Sequence, residues 1–534
     1  MDRRTFIKVL PAAGFTTVAA SAYGQETHLD DASRKEFEDL LATQDEMRRH
    51  LFAITDTEIL PEGPLDRVYY WNNVGLNISA IDHTPAADQL DGGGSSAPDP
   101  RRFGEQLGPH RSSYAMAVAQ IAVFEAVNAF PRSANPKKYQ SYTGFSSAPS
   151  APADASLDGA IAQAMHDALA HLYPFKAADV RSVLDRDIAR ISGTSPTGDK
   201  IDIAAGRKIG QAAAKSIIEK RKEDGTNHQE IKFADLPPDN GPLKWSIDPV
   251  SKIETALGAK WKDVTPFLLM KGDQFRLADP PKLNDARYIA AFDEVKDIGK
   301  KGVYPMDTSR KKGETFRAIF WGYDGTPNLC APPRLYNQVV RTITTDKKIS
   351  EPAELARILA LCNTTMADAA IAAWDSKFTH RYWRPVTGIR WPGMEGDAKG
   401  DASNVPDPTW EPLGSPNTDS KKANFTPPFP AYPSGHATFG GALFQVLRMI
   451  FKDTGDDTPF VLVSDEFNGK HKGVNDAKPR PYLPLSFVAL QDAEFENAFS
   501  RVWLGVHWRP DGEDGIQLGN KIGNWAFQNG FAEV

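Results

Sequence analysis

The chain has 534 residues, with 62 Lys and Arg against 69 Asp and Glu for a formal net charge of -7, and no block of like charge interrupts it. That balance argues against a nucleic-acid binder, which needs basic clusters to neutralise phosphates. The 11 Trp, 14 Tyr and 28 Phe exclude global disorder, while two cysteines, Cys330 and Cys362, exclude a disulfide scaffold or a cysteine zinc site and leave one bridge open.

Residues 1–22 read as an address: Arg3-Arg4, a short apolar run over 9–20, and the small-residue site Ala20-Ser21-Ala22. They predict export of the folded chain by the twin-arginine route, to the periplasm or outside the cell. Beyond them no apolar run of about 18 residues suggests a membrane span. Helical spacing of Phe37, Leu40 and Leu41 predicts a surface helix over 32–60, and the apolar texture of 68–78 predicts a buried one. A Gly/Ser/Pro loop follows over 91–98, then a core helix over 112–130, a Ser/Ala/Pro connector over 146–155, and Ala-rich helices over 158–173 and 204–222. In the second half, apolar residues at helical intervals predict a long helix over 355–383 that stops before Pro385. A Pro/Asn/Thr-rich stretch over 405–433, a helix over 435–451, a loop over 459–484 and a helix over 485–508 complete the pattern. Alternating strand signatures are scarce, so the fold class is all-α, bundled helices with long loops.

Three segments gather residue types suited to a tetrahedral oxyanion. In the first, Lys377 and Arg384 stand seven positions apart, nearly two helical turns, so that both can face one direction. The second is Pro433-Ser434-Gly435-His436. Ser434 sits where an N-cap belongs, the helix start offers free amides at the positive end of the macrodipole, and His436 can exchange a proton beside them. In the third, Arg501 supplies a planar fork, His507 an imidazole nitrogen, and Asp511, four residues on, can accept the other ring N–H and fix the tautomer. Taken singly, each segment also has an ordinary structural reading as a helix end, a turn with a cap, or a core histidine.

Together the segments spell K-x6-R-P, P-S-G-H and S-R-x3-G-V-H-x3-D, which resembles the superfamily of vanadium-dependent haloperoxidases and type-2 phosphatidic acid phosphatases. Further stretches, Trp321-Gly322-Tyr323-Asp324-Gly325, Pro332-Pro333-Arg334-Leu335-Tyr336-Asn337-Gln338 and the run from Pro427 to Gly441, are similar to the fungal-type vanadium chloroperoxidases. Weaker similarity over 70–76 extends the resemblance across nearly the whole mature chain. The resemblance implies two four-helix-bundle-like halves, an N-terminal helical region over 23–310 and a C-terminal one over 311–534 that carries the site.

It also implies vanadate as cofactor, with His507 as the sole protein ligand of vanadium(V). Lys377, Arg384, Ser434, Gly435 and Arg501 would hold the vanadate oxygens, and His436 would be the acid–base group. Asp324 falls where relatives have an aspartate pairing with the oxyanion-binding arginines. Trp374 and Phe429 fall at the halide site; a histidine replaces the phenylalanine in bromide-preferring relatives, so Phe429 points to the chloride-capable group. The implied activity is oxidation of chloride or bromide by hydrogen peroxide to hypohalous acid, with a small organic acceptor and no redox change at the metal. A runner-up reading is an acid phosphatase, with His507 as nucleophile and His436 as general acid. A non-catalytic oxyanion-binding protein is a third.

Overall fold

The computed structural model describes residues 61–84, 104–130, 139–147, 151–195, 197–239, 241–301, 314–326, 329–392, 405–415, 426–454, 457–471 and 479–534. The expected export signal, the helix over 32–60 and the loop over 91–98 lie outside the described residues. In the N-terminal half the described helices are α1 (Pro64–Asp82), α2 (Gly108–Asn128), α3 (Leu157–Leu172), α4 (Ala177–Ile188) and α5 (Ile203–Arg221). Ser156 and Asp202 cap α3 and α5 by accepting the Gly159 and Ala205 N–H groups, as oxygen-bearing N-caps do. The Ala-rich texture has a packing reason. α3 and α5 approach so closely that a Cβ on Gly210 would lie 2.4 Å from the Ala160 carbonyl oxygen.

After α6 (Ala286–Ile298), α7 (Glu314–Phe320) and α8 (Pro333–Asp346) comes the longest described helix, α9 (Pro352–His380). It packs against α2 on one side and α11 (Gly435–Phe451) on the other. One apolar cluster runs through α1, α2, α3, α9 and α11, so α9 is the shared wall of both bundles. By length and composition α9 would pass for a membrane span, which corrects the expectation that no such stretch exists. Its side chains are nevertheless almost all buried within the protein. The second bundle adds α12 (Leu490–Trp503) and α13 (Arg509–Asn529). Gly519 of α13 seats that helix on α11, because a Cβ there would meet the Thr438 carbonyl oxygen at 2.4 Å.

Two expected boundaries shift. The long helix ends at His380, not at Trp383: Arg381 turns left-handed (φ 51°) and donates its N–H to the Lys377 carbonyl. Pro385 instead opens the short α10 (Pro385–Arg390), where its missing N–H costs nothing. The single helix expected over 485–508 divides. β4 (Leu485–Phe487) pairs antiparallel with β3 (Phe460–Leu462), burying Phe460, Leu462, Leu485 and Phe487 on one face, and α12 starts only at Leu490. Another two-residue pair, β1 (Ile231–Lys232) with β2 (Thr255–Ala256), is the other described sheet. The strands are short and the class is all-α, as expected. Cys330 and Cys362 are both buried free thiols, so the bridge left open by the sequence is absent.

Candidate active site

The site forms where helix ends meet. Because the chain reverses at Arg381, Lys377 and Arg384 do not share a helical face: Lys377 comes from the last turn of α9 and Arg384 is the N-cap of α10. Lys377 is fully buried, and its ammonium donates to the carbonyls of Pro430 and Ala431 (2.9 Å each) and Pro433. Burial, followed by the nearby Arg384, pulls its pKa well below the usual lysine value. Three N–H bonds thus go to three carbonyls, and Lys377 pins the 430–433 loop to α9 rather than lining the cavity.

Arg384 donates from Nε to Phe429 O (2.9 Å), and from Nη1 to Val506 O (2.7 Å) and His507 Nε2 (2.9 Å). Burial brings its pKa down to about 9, which still leaves it charged at neutral pH. Its Nη2 is buried without a partner. His507 Nδ1 and the Trp508 N–H both donate to Asp511 Oδ2 (2.9 and 3.0 Å). The Arg384 guanidinium can only donate, so Nε2 presents its lone pair and the ring proton sits on Nδ1. Burial and then Arg384 and Lys377 hold the imidazole neutral, its pKa well below the ordinary value. Burial also raises Asp511 to about 7.

Ser434 caps α11 as expected, accepting the Ala437 N–H at 3.4 Å, and its own N–H donates to the Asp511 carbonyl (2.8 Å). The starts of α11 and α13 are thereby joined. His436 points Nε2 at the carbonyls of Trp321 (3.1 Å) and Gly322 (2.7 Å). Carbonyls only accept, so Nε2 carries the proton and Nδ1 is left for exchange. Burial and then Arg501 push its pKa well below the ordinary value. Arg501, in the last turn of α12, grips Asp324 with both Nη atoms (2.9 and 2.7 Å), while its Nε is buried and unpartnered. Asp324 thus pairs with Arg501 through both carboxylate oxygens.

A cavity of about 300 Å³ opens onto these groups, with Asp324, Gly435, His436, Arg501 and His507 on its wall. Trp374 and Phe429 line it too, their ring centroids 4.9 Å apart, and Arg384 lies over Phe429 at 5.0 Å. Three buried cations face two buried carboxylates, and two guanidinium N–H positions are unsatisfied. Both features ask for an anion. Among the described residues no group of three or more His, Cys, Asp and Glu is placed to hold a metal ion. The donor set thus suits an oxyanion anchored through one imidazole, and vanadate fits it.

Sequence reasoning missed several contributors. The carbonyls that orient His436 belong to Trp321 and Gly322, and backbone acceptors leave no residue-type signal. Tyr336 and Asn497 both donate to the His436 carbonyl (3.1 and 2.8 Å), which fixes the first turn of α11. Leu107, Ile253 and Leu257 supply apolar wall from the N-terminal half, far from any of the three motifs.

Residues 357–532 match the family described as the VCPO second helical-bundle domain. The vanadium chloroperoxidase of Curvularia inaequalis is 36% identical over 272 residues, an alignment spanning 44% of this chain and 43% of that protein. This chain therefore spans less than half the length of the curated relative it matches. Among solved structures, a bacterial vanadium-dependent iodoperoxidase superposes with a TM-score of 0.66 at 21% identity, covering 88% of this chain and 97% of that one. A holo-type bacterial vanadium-dependent chloroperoxidase superposes with a TM-score of 0.55 at 18% identity, covering 83% and 95%. At those identities the two structures establish the fold.

Proposed function

We propose that the chain is a vanadium-dependent haloperoxidase that oxidises halide with hydrogen peroxide to hypohalous acid, a reading supported by the match of residues 357–532 to the VCPO second helical-bundle domain. The observation that carries this reading is that Gly435, His436, Arg501 and His507 line one pocket while Arg384 is bonded to His507 Nε2, with a guanidinium nitrogen of each arginine buried and unsatisfied. Bound vanadate would supply a Lewis-acidic vanadium(V) centre that polarises peroxide without changing oxidation state.

The chain's own residues have separable tasks. His507 offers the Nε2 lone pair as ligand, and Asp511 keeps that tautomer by holding Nδ1–H. Arg384 Nη1 rests on this same lone pair, so loading requires its donor to move from nitrogen to an oxyanion oxygen. Arg501, oriented by Asp324, and the α11 start at Ser434 and Gly435 would hold the remaining oxygens. His436, neutral and held through Nε2–H, takes a proton from incoming peroxide at Nδ1 and can return it to the leaving oxygen. Lys377 keeps its charge near the pocket through the loop it pins. Trp374 and Phe429 form the halide wall, and Phe429 rather than histidine favours chloride competence. A small organic acceptor would take the halogen, and the 1–22 leader would direct export.

The test adds orthovanadate to metal-free protein and measures peroxide-dependent halogenation of a phenolic dye with bromide or chloride, with phosphate as competitor. The expected result is vanadate-dependent halogenation that phosphate suppresses. A strong phosphomonoesterase activity that vanadate only inhibits, with no halogenation, would instead identify a phosphatase. Retention of oxyanion with neither activity would identify a binding protein. His507→Ala should lose vanadate on dialysis, whereas His436→Ala should keep it and lose most turnover.

A further inference from the structure

Against Trp374 of the aromatic wall lies a charged cluster with no task in the chemistry above. Glu230 Oε1 accepts from Arg111 Nε at 3.1 Å and from His110 Nε2 at 3.4 Å, and its Oε2 accepts the backbone N–H of Gly258. Arg111 is itself tied to the carbonyls of Thr226 and His228 (3.1 and 2.7 Å) and lies over Trp261 at 5.2 Å. Two of these partners, His110 and Gly258, lie against Trp374. The His110 ring lies against the indole, centroids 5.2 Å apart, and the Trp374 Nε1–H donates to Leu257 O at 3.0 Å. The Gly258 backbone passes so close that a Cβ there would fall 2.0 Å from Trp374 Nε1. The same loop reaches the other half of the wall, since Leu257 N–H donates to Pro428 O, next to Phe429.

The electrostatics keep this cluster in one state. Glu230 pays for burial, yet its bonds from His110 and Gly258 and the charge on Arg111 carry its pKa down to about 2. Burial holds His110 below its ordinary value, so a neutral ring faces the indole at neutral pH. Glu230 is therefore a fixed anion that holds the 257–258 backbone against the edge of Trp374, while His110 closes one face.

We infer that Glu230, acting through Gly258 and His110, is a positioning residue for Trp374 and thereby sets which halide the Trp374–Phe429 wall accepts. The inference rests on the reading of that wall as the halide site. A halide sits against an aromatic surface by size and polarizability, and a wall shifted by a few tenths of an ångström discriminates between chloride and bromide differently. Among the described residues no hydrogen bond joins Glu230, His110 or Arg111 to His507, Arg384 or Arg501, so the expected effect falls on halide rather than on oxyanion or peroxide.

The experiment compares wild type with Glu230→Gln and Gly258→Ala in the vanadate-loaded enzyme and in the metal-free protein. In the loaded enzyme, KM for chloride and for bromide, KM for peroxide and vanadate retention are measured. The expected result is a change of about three-fold or more in the chloride-to-bromide KM ratio, larger for Gly258→Ala, with peroxide KM and vanadate retention unchanged. In metal-free, 15N-tryptophan-labelled protein, the Trp374 indole resonance, assigned by Trp374→Phe, should shift and exchange faster with solvent in both variants. An unchanged KM ratio in Glu230→Gln, while Trp374→Phe does change it, overturns the positioning role. If Trp374→Phe itself leaves halide KM untouched, the halide-wall reading has failed instead. Should Gly258→Ala not fold, Glu230→Gln, which keeps side-chain volume but removes the anion that binds the Gly258 N–H, His110 and Arg111 together, still decides the question.

Discussion

Among the described residues Asp324 is the acidic partner of Arg501, and its removal tests whether the pocket is built around an excess of positive charge. Arg501 is 1% exposed and Asp324 5%, and two charge-assisted bonds of 2.7 and 2.9 Å join them. With charge centres about 4 Å apart and an effective dielectric near 20, the pair is worth about 4 kcal/mol by Coulomb's law. Breaking a buried pair from one side costs about 3–5 kcal/mol, because the surviving charge is left desolvated. Asp324→Ala also leaves Lys377, Arg384 and Arg501 facing Asp511 alone. The expected loss of unfolding free energy in metal-free protein is therefore about 3–5 kcal/mol, read from guanidinium chloride unfolding. An oxyanion in the pocket gives Arg501 a second partner, so the same measurement with saturating orthovanadate should show a smaller loss. A loss below about 1 kcal/mol, or an equal loss with and without orthovanadate, would refute the reasoning.

Three other outcomes follow from single contacts. Arg384→Lys keeps the charge but cannot reach Phe429 O, Val506 O and His507 Nε2 at once, and the expected fall in vanadate affinity is about 10–100-fold by equilibrium dialysis. Gly519→Ala forces a methyl group against the Thr438 carbonyl, with an expected destabilisation of about 1–3 kcal/mol by chemical unfolding. Glu230, with its carboxyl brought from 4.5 to about 2, contributes stability that is present above pH 4.5 and lost as pH falls towards 2. Acid unfolding of Glu230→Gln should accordingly lose less stability than wild type across that window, and parallel profiles would count against an ionised Glu230.

What the sequence disclosed and what it withheld divide along one physical line. Side chains with a specific chemical shape announce themselves: Ser434 before an apolar run is an N-cap, Asp511 four residues after His507 reaches its ring, and both lie as expected. The helices over 158–173 and 204–222 were legible from their Ala-rich texture alone, and the fold adds the caps Ser156 and Asp202. The end of α9 was not. Nothing in Lys377 to Pro385 announces that Arg381 will turn left-handed, so two cations that looked like neighbours on one helix arrive from different elements. The β4 strand was hidden for a similar reason: a three-residue Leu-Ser-Phe segment carries too few residues to separate a period of two from one of 3.6.

That left-handed turn is also why the pocket can exist. Had α9 continued to Arg384, Lys377 and Arg384 would stack along one face about 10 Å apart at 1.5 Å rise per residue, and neither could reach the start of α11 and the start of α13 together. Reversing the chain at Arg381 sends Arg384 back to Phe429 O and His507, while Lys377 stays on α9 and ties down the loop that ends in Ser434. The starts of α11 and α13 are then fastened to each other through Ser434 N–H and the Asp511 carbonyl. Two helix N-termini and two arginines thus converge without any of them sitting next to another in sequence. A motif scattered over 135 positions, from Lys377 to Asp511, is the linear trace of that convergence. Its spacing within each segment is fixed by helix geometry, while the spacing between segments is free to vary with the loops. The sequence could therefore name the parts of the pocket, and only the fold could say that Lys377 braces it from behind.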